Sequence, residues 1–345
     1  MGHLIYQQLR SYASPAELHQ PAVAASGTSR RVDVDCLKGI AIVGVVLVHL
    51  EYPTRLSSES MAIVHGCQDI FGWCVMAFFF CSGLLTRRIP QTAKEFGLWI
   101  GRRVKRLLLP CLVFSIAYKV ALIALSQTNL FHWSYAFPAN LRGWVAWLLV
   151  PASPQFYFLP FLFGISSICC LLLALVRQAW LLWGAATALF LLLGFWSPSQ
   201  PHGSAPILLI AYAYCYIMGL LTEMVALPAG LWLATNLTLS IAAAVFWQNP
   251  FFLYPLAPLI LLRVIQKAGA TTRTTGLPFL GQSSAAIYVW HAPLLLPFCS
   301  VVCHWLLGAR LELLQIFFTL GATIALCHAI SLIVRRVSWL ELFNF

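Results

Sequence analysis

Ten apolar stretches follow one another along the chain, at about 37–52, 68–86, 107–126, 155–176, 179–196, 206–226, 229–247, 250–265, 281–302 and 313–334. A helix needs about 20 residues to cross a hydrocarbon core of ~30 Å, and these runs have that length or approach it. A balance of 61% hydrophobic against 9% charged residues excludes a soluble globular domain. The expected fold is therefore all-α, a polytopic membrane helical bundle of about ten transmembrane helices. Two runs are weaker than the rest: the first carries Lys38 and His49, and the eighth is short and interrupted by Pro255 and Pro258.

Cation placement orients the bundle, because cytoplasmic segments collect the excess of Lys and Arg. With the N-terminus inside, the inner segments hold 17 of the 21 cations; Arg55, Arg142 and Arg310 fall outside, and Lys119 lies within the third run. Both termini are expected in the cytoplasm. The net charge of +11 then follows from this bias and from anionic lipid, without nucleic acid. Residues 1–30 are polar and lack the apolar core of a secretory signal, so they read as a flexible cytoplasmic tail. Residues 31–336 form the membrane domain and 337–345 a short cytoplasmic C-terminus, with no soluble domain expected to be appended. The eleven Cys have no zinc-like or disulfide-framework spacing and read as packing residues; no metal site is expected. Asn236 begins a glycosylation-like triplet inside a span, where it is discounted.

Polar residues inside apolar runs carry the functional signal. Lys38 and His49 bracket an otherwise apolar segment, and at ~1.5 Å per residue the ring lies roughly 16 Å deeper than the ammonium. A titratable ring near the membrane midplane is a functional-site candidate, the alternative being a hydrogen bond to a neighbouring helix. Upstream, Asp35 is placed to pair with Arg31 and Lys38 on a helix. Tyr288 and His291 form a second intramembrane pair at i and i+3, on one face. Ser82 and Gly83 close the second run and read as small residues for close helix approach. Lys119 is expected to snorkel to the outer interface and His132 to lie in a loop. Glu51, His65, Asp69 and Glu223 are further candidates among which the sequence does not choose.

The densest charge cluster holds seven cations between Arg87 and Arg106, against the single acid Glu95. Topology and lipid headgroups account for many such clusters. Here Arg102, Arg103 and Arg106 run straight into an apolar helix, with Arg102 and Arg106 at i and i+4. Arg forms bidentate pairs with phosphate oxygens, so this array suits a phosphate-rich ligand.

These segments together resemble the acyltransferase-3 family of integral membrane acyltransferases. Its opening motif corresponds to Arg31, Asp35, Lys38-Gly39 and His49; its aromatic run ending in Ser-Gly to Phe78–Gly83. Its Arg-rich helix entry corresponds to Arg102, Arg103, Arg106 and Pro110, its aromatic-Phe-Leu segment to Tyr157-Phe158-Leu159, and its late motif to Ser284, Ile287, Tyr288, His291 and Pro293. Lys38 stands where the family usually has Arg, keeping the charge but losing the planar fork.

The resemblance implies an acyl-CoA donor, usually acetyl-CoA, on the cytoplasmic side, no bound cofactor, and a carbohydrate acceptor on the outer side. The expected activity is O-acetylation of a lipid-linked or exported polysaccharide, such as an exopolysaccharide or O-antigen, at a bacterial inner membrane. His49 and His291 are the expected catalytic residues, His49 as general base or transient acyl carrier and His291 in support. Lys38, Arg102, Arg103 and Arg106 would bind the donor, with Arg31, Asp35, Ser82 and Tyr288 supporting. A different class of reading, a transporter or flippase whose histidines and basic rim line a path for an anionic substrate, fits the same polar residues.

Overall fold

The computed structural model describes residues 30–50, 57–86, 89–126, 137–138, 140–144, 154–176, 178–196, 205–224, 228–269, 275–308 and 311–336. The expected C-terminal segment 337–345, residues 1–29 of the expected tail, Glu51, Arg87, Arg88 and His132 lie outside the described residues. The chain divides into two units, residues 1–32 and 33–345. Arg31 belongs to the first, and the fold described below is that of the second.

All regular structure among the described residues is helical: α1 (Val32–Val48), α2 (Ser58–Phe71), α3 (Cys74–Leu84), α4 (Ala93–Arg103) and α5 (Leu109–Ser126) come first. They are followed by α6 (Phe158–Val176), α7 (Ala179–Trp196), α8 (Ala205–Met224), α9 (Ala229–Trp247) and α10 (Leu256–Ala268). The last four are α11 (Leu277–Gln282), α12 (Ser284–Trp290), α13 (Leu296–Leu307) and α14 (Glu312–Arg335). Among the described residues, seven segments are long and apolar enough to cross a membrane: 58–84, 93–124, 158–176, 207–224, 229–247, 250–268 and 312–334. The chain is thus a polytopic helical membrane bundle.

Of the other three expected spans, one is intact, one short and one broken. α7 covers the whole expected run, Ala179–Trp196. α1 has only 17 residues. The run at 281–302 is interrupted at Ala292, whose backbone is extended (φ −133°, ψ 152°). Pro293 follows directly and removes a helical donor there, which accounts for the break.

Helix also forms between the expected spans. The runs 37–52 and 68–86 leave a connection between them that is helical from Ser58 on, where Ser57 caps α2, its hydroxyl oxygen accepting from the Ser60 amide. The Glu312 carboxylate, from the start of α14, accepts from the backbone amide and hydroxyl of Ser57. The basic stretch before the third span forms α4 and passes into α5 through a π-helical turn at Val104–Leu108.

Glycines set the tightest helix contacts. A Cβ on Gly83 of α3 would collide with the Tyr216 carbonyl oxygen, and one on Gly219 of α8 with the Phe80 carbonyl oxygen. Each helix therefore presents its bare backbone to the other, the arrangement that lets helices associate where lipid supplies no hydrophobic drive. α1 is seated likewise, Gly39 against the Leu277 carbonyl and Gly281 against the Asp35 carbonyl. Gly44 meets Phe71 and Cys74.

Buried polar side chains are spent on structure at some positions. Asn236 is fully buried, its Oδ1 accepting from Tyr214 Oη at 2.9 Å and its Nδ2 donating to the Trp232 carbonyl at 2.8 Å. Nine of the eleven cysteines are buried thiols, as a packing role requires. Lys119 departs from expectation: only 6% exposed, it points into the bundle rather than along lipid to the interface. A charged head is costly against hydrocarbon, so the protein interior is the favoured surrounding when polar neighbours exist there.

Candidate active site

His49 follows the last turn of α1, and His291 follows α12 immediately before the break. Their rings meet edge to face with centroids 5.3 Å apart and planes inclined at 70°. His49 is half-buried, whereas His291 is fully buried. The Nδ1 of His49 is 2.8 Å from the Val45 carbonyl oxygen; that of His291 lies 2.8 Å from the Tyr288 carbonyl and 3.1 Å from that of Ile287. A carbonyl oxygen can only accept, so both Nδ1 atoms carry protons. In each neutral ring the basic lone pair is consequently on Nε2. The His291 Nε2 is buried with no hydrogen-bond partner among the described residues.

An aromatic wall continues from this pair. Tyr288, which the sequence places on the His291 face, has its ring 6.0 Å from that imidazole. Phe158 packs on Tyr288 at 5.2 Å and on Phe79 at 5.0 Å, and Phe79 stacks on Tyr212 at 4.4 Å. The Tyr157 and Tyr212 hydroxyls share a hydrogen bond of 2.8 Å. From the other side, Tyr118 of α5 donates to the Val289 carbonyl at 2.9 Å and fixes α12. The histidines thus sit against an apolar surface built from α3, α6, α8 and α12, which limits access of water to the rings.

A second group of polar side chains forms around Arg103. Ser82 lies in the last turn of α3 and Thr86 just beyond it. There Arg103 donates to Ser82 Oγ at 3.3 Å and to Thr86 Oγ1 at 3.4 Å, with its guanidinium 4.9 Å from the Trp99 ring centre. Thr86 donates to the Ser82 carbonyl at 2.8 Å, so its two lone pairs serve Arg103 and the Tyr216 hydroxyl, the latter at 3.0 Å.

Arg102 and Arg106 are exposed rather than turned inward with Arg103. The π-helical turn beginning at Val104 also replaces the continuous α-helical register assumed for their i, i+4 relation. Lys38 is half-buried and Asp35 buried, beside the close contact of α1 with α11.

A family model described as an acyltransferase domain, acyltransferase-3, matches residues 31–332. The chain belongs to the acyltransferase-3 family. No curated protein and no solved structure matches it. This membrane acyltransferase carries two groups of polar side chains, the histidine pair and the cluster around Arg103. Family membership favours acyl transfer over the translocation reading.

Three residues in these polar contacts escape a reading of the sequence. Thr86 and Tyr216 become visible only once α3 and α8 are paired. Gln68 opens the second expected apolar run, and its one signal was polarity at the edge of that run.

Proposed function

We propose that this acyltransferase moves an acetyl group from cytoplasmic acetyl-CoA to a hydroxyl of a lipid-linked or exported glycan at a bacterial inner membrane. The observation that carries the reading is the His49–His291 pair, whose Nδ1 atoms are both committed to backbone carbonyls. A neutral imidazole with its tautomer fixed in this way is suited to accept a hydroxyl proton, help worth roughly 10²- to 10⁴-fold. His49, the less buried of the two, takes the proton of the acceptor hydroxyl at Nε2. The hydroxyl oxygen bonds to the thioester carbonyl carbon, the carbon–sulfur bond breaks, and CoA leaves as the thiolate. The proton held on the imidazole goes to that thiolate, which restores the neutral ring. His291 supports the charge that develops on His49.

Lys38, Arg102, Arg103 and Arg106 hold the CoA phosphates. Charge-assisted pairs of this kind contribute ~1.5 to 3 kcal/mol each. Arg103 is already oriented by Ser82 and Thr86, and the exposed Arg102 and Arg106 are free to close on the ligand when it binds. Asp35 and Tyr288 support these two centres.

The test is turnover by the purified protein in a membrane mimetic. Free CoA thiol should accumulate with acetyl-CoA and a glycan acceptor, the acceptor should gain one acetyl mass, and His49→Ala should abolish both. Thiol release unaffected by His49→Ala would overturn the proposal.

A further inference from the structure

The end of α1 is a problem in hydrogen bonding, because the last four carbonyls of a helix lack partners within it. Here each finds one. The Val45 carbonyl receives His49 Nδ1 at 2.8 Å, the Val46 carbonyl the His49 amide at 3.2 Å, and the Leu47 carbonyl the Leu50 amide at 3.1 Å. The fourth, of Val48, receives Gln68 Nε2 from α2 at 3.1 Å. The ring of His49 is thus held by the same helical turn that Gln68 closes.

The Gln68 amide is fixed on both sides. With Nε2 donating to Val48, Oε1 faces His65 Nδ1 at 3.2 Å. An amide oxygen only accepts, so His65 donates, and a reversed Gln68 amide would lose its bond to the Val48 carbonyl. The glycine contact of α1 with Phe71 and Cys74 holds the end of α2 against α1 close by.

We infer that Gln68 is a positioning residue for His49, capping the terminal carbonyl of α1 so that the imidazole keeps its orientation toward the reacting hydroxyl. This rests on the reading of His49 as the proton acceptor. Without the cap, the last turn of α1 carries an unsatisfied carbonyl and the ring loses its fixed reference. Misplacement of a catalytic group by about 1 Å costs on the order of a hundredfold in rate.

Three variants test this, each measured as kcat and KM per folded, monodisperse protein. Gln68→Met keeps the shape and removes both bonds, and should lower kcat roughly ten- to a hundredfold with the acetyl-CoA KM within about twofold of the parent. Gln68→Lys restores a donor for Val48 without an acceptor for His65, and should recover most of kcat. His65→Ala should cost about threefold at most, since its contact only steadies the amide. Nitrogen-15 histidine NMR should show the His49 Nδ1–H signal altered by Gln68→Met and regained in Gln68→Lys. Parental kcat in Gln68→Met, or equal losses in Gln68→Met and Gln68→Lys, would overturn the inference. His49→Ala, run alongside, separates the two failures. If it is inactive while Gln68→Met is normal, only the positioning role falls; if it is active, the reading of His49 falls and this inference with it.

Discussion

The imidazole of His49, from the first described helix, lies edge on to that of His291, from the far end of the chain, at a centroid separation of 5.3 Å. Each ring spends Nδ1 on its own helix, so only Nε2 is left for chemistry.

This relationship separates anchoring from catalysis by substitution. An Asn amide nitrogen approximates Nδ1, so His291→Asn should keep the donor toward the Tyr288 carbonyl and near-normal membrane abundance while losing the function of Nε2. His291→Leu should lose both abundance and activity. Turnover per folded protein is expected to fall as much in His291→Asn as in His49→Ala, or less. Parental activity in His291→Asn would reduce that ring to packing, and more than about a tenth of parental activity in His49→Ala would remove His49 from the central role.

The glycine contacts predict a graded stability series. Gly83→Ala and Gly219→Ala each drive a methyl into backbone, which no rotamer change relieves, so each should cost ~1 to 3 kcal/mol. Gly164→Ala and Gly230→Ala meet nothing within 4 Å and should be neutral or slightly stabilising. Thermal midpoints in detergent would check the ordering, and equal midpoints across the four would contradict the close packing of α3 on α8.

Arg103 should behave differently from its neighbours. Its two hydrogen bonds, at 3.3 and 3.4 Å, are long and individually weak, so the head depends on their combination with the Trp99 face. Arg103→Lys keeps the charge but loses the fork, and should lower abundance as well as donor affinity. Arg102→Ala and Arg106→Ala should raise the acetyl-CoA KM by roughly ten- to a hundredfold with little change in abundance. Donor binding by isothermal titration distinguishes these outcomes, and parental affinity in both Ala variants would reduce the cluster to a topology and lipid signal.

Much of the fold was legible because lipid leaves a helix few alternatives to forming its own backbone bonds. Seven expected spans correspond to long apolar helices, and the shared face of Tyr288 and His291 followed from helical spacing alone. What escaped depends on which helices become neighbours. Nothing local to α1 and α12 predicts that their rings meet. Lys119 was expected at the interface because snorkelling is the usual recourse of a lone Lys, whereas its helix turns it inward. Arg103 was not separated from Arg102 and Arg106 because the π-helical turn is not written in apolar periodicity. Gln68 was hidden because its partner, the Val48 carbonyl, is a backbone group that no side-chain pattern reveals.

Orientation is open to direct measurement. Membrane-impermeant thiol labelling in intact cells, on a background without native reactive cysteines, should leave Lys94→Cys unmodified and modify single cysteines placed at 127–140. Labelling of Lys94→Cys from outside would reverse the bundle and move the donor to the opposite face.

The seating of α1 on α11 also bears on the order in which the bundle can assemble. The carbonyls of Asp35 and Leu277 are each met by a glycine of the other segment, and the ring of His49 meets that of His291. A ribosome delivers these partners late, after α2 to α10 have been made. A growing chain therefore carries a first helix without the backbone against which it comes to rest. The meeting of the two rings has to wait until residue 291 has left the ribosome.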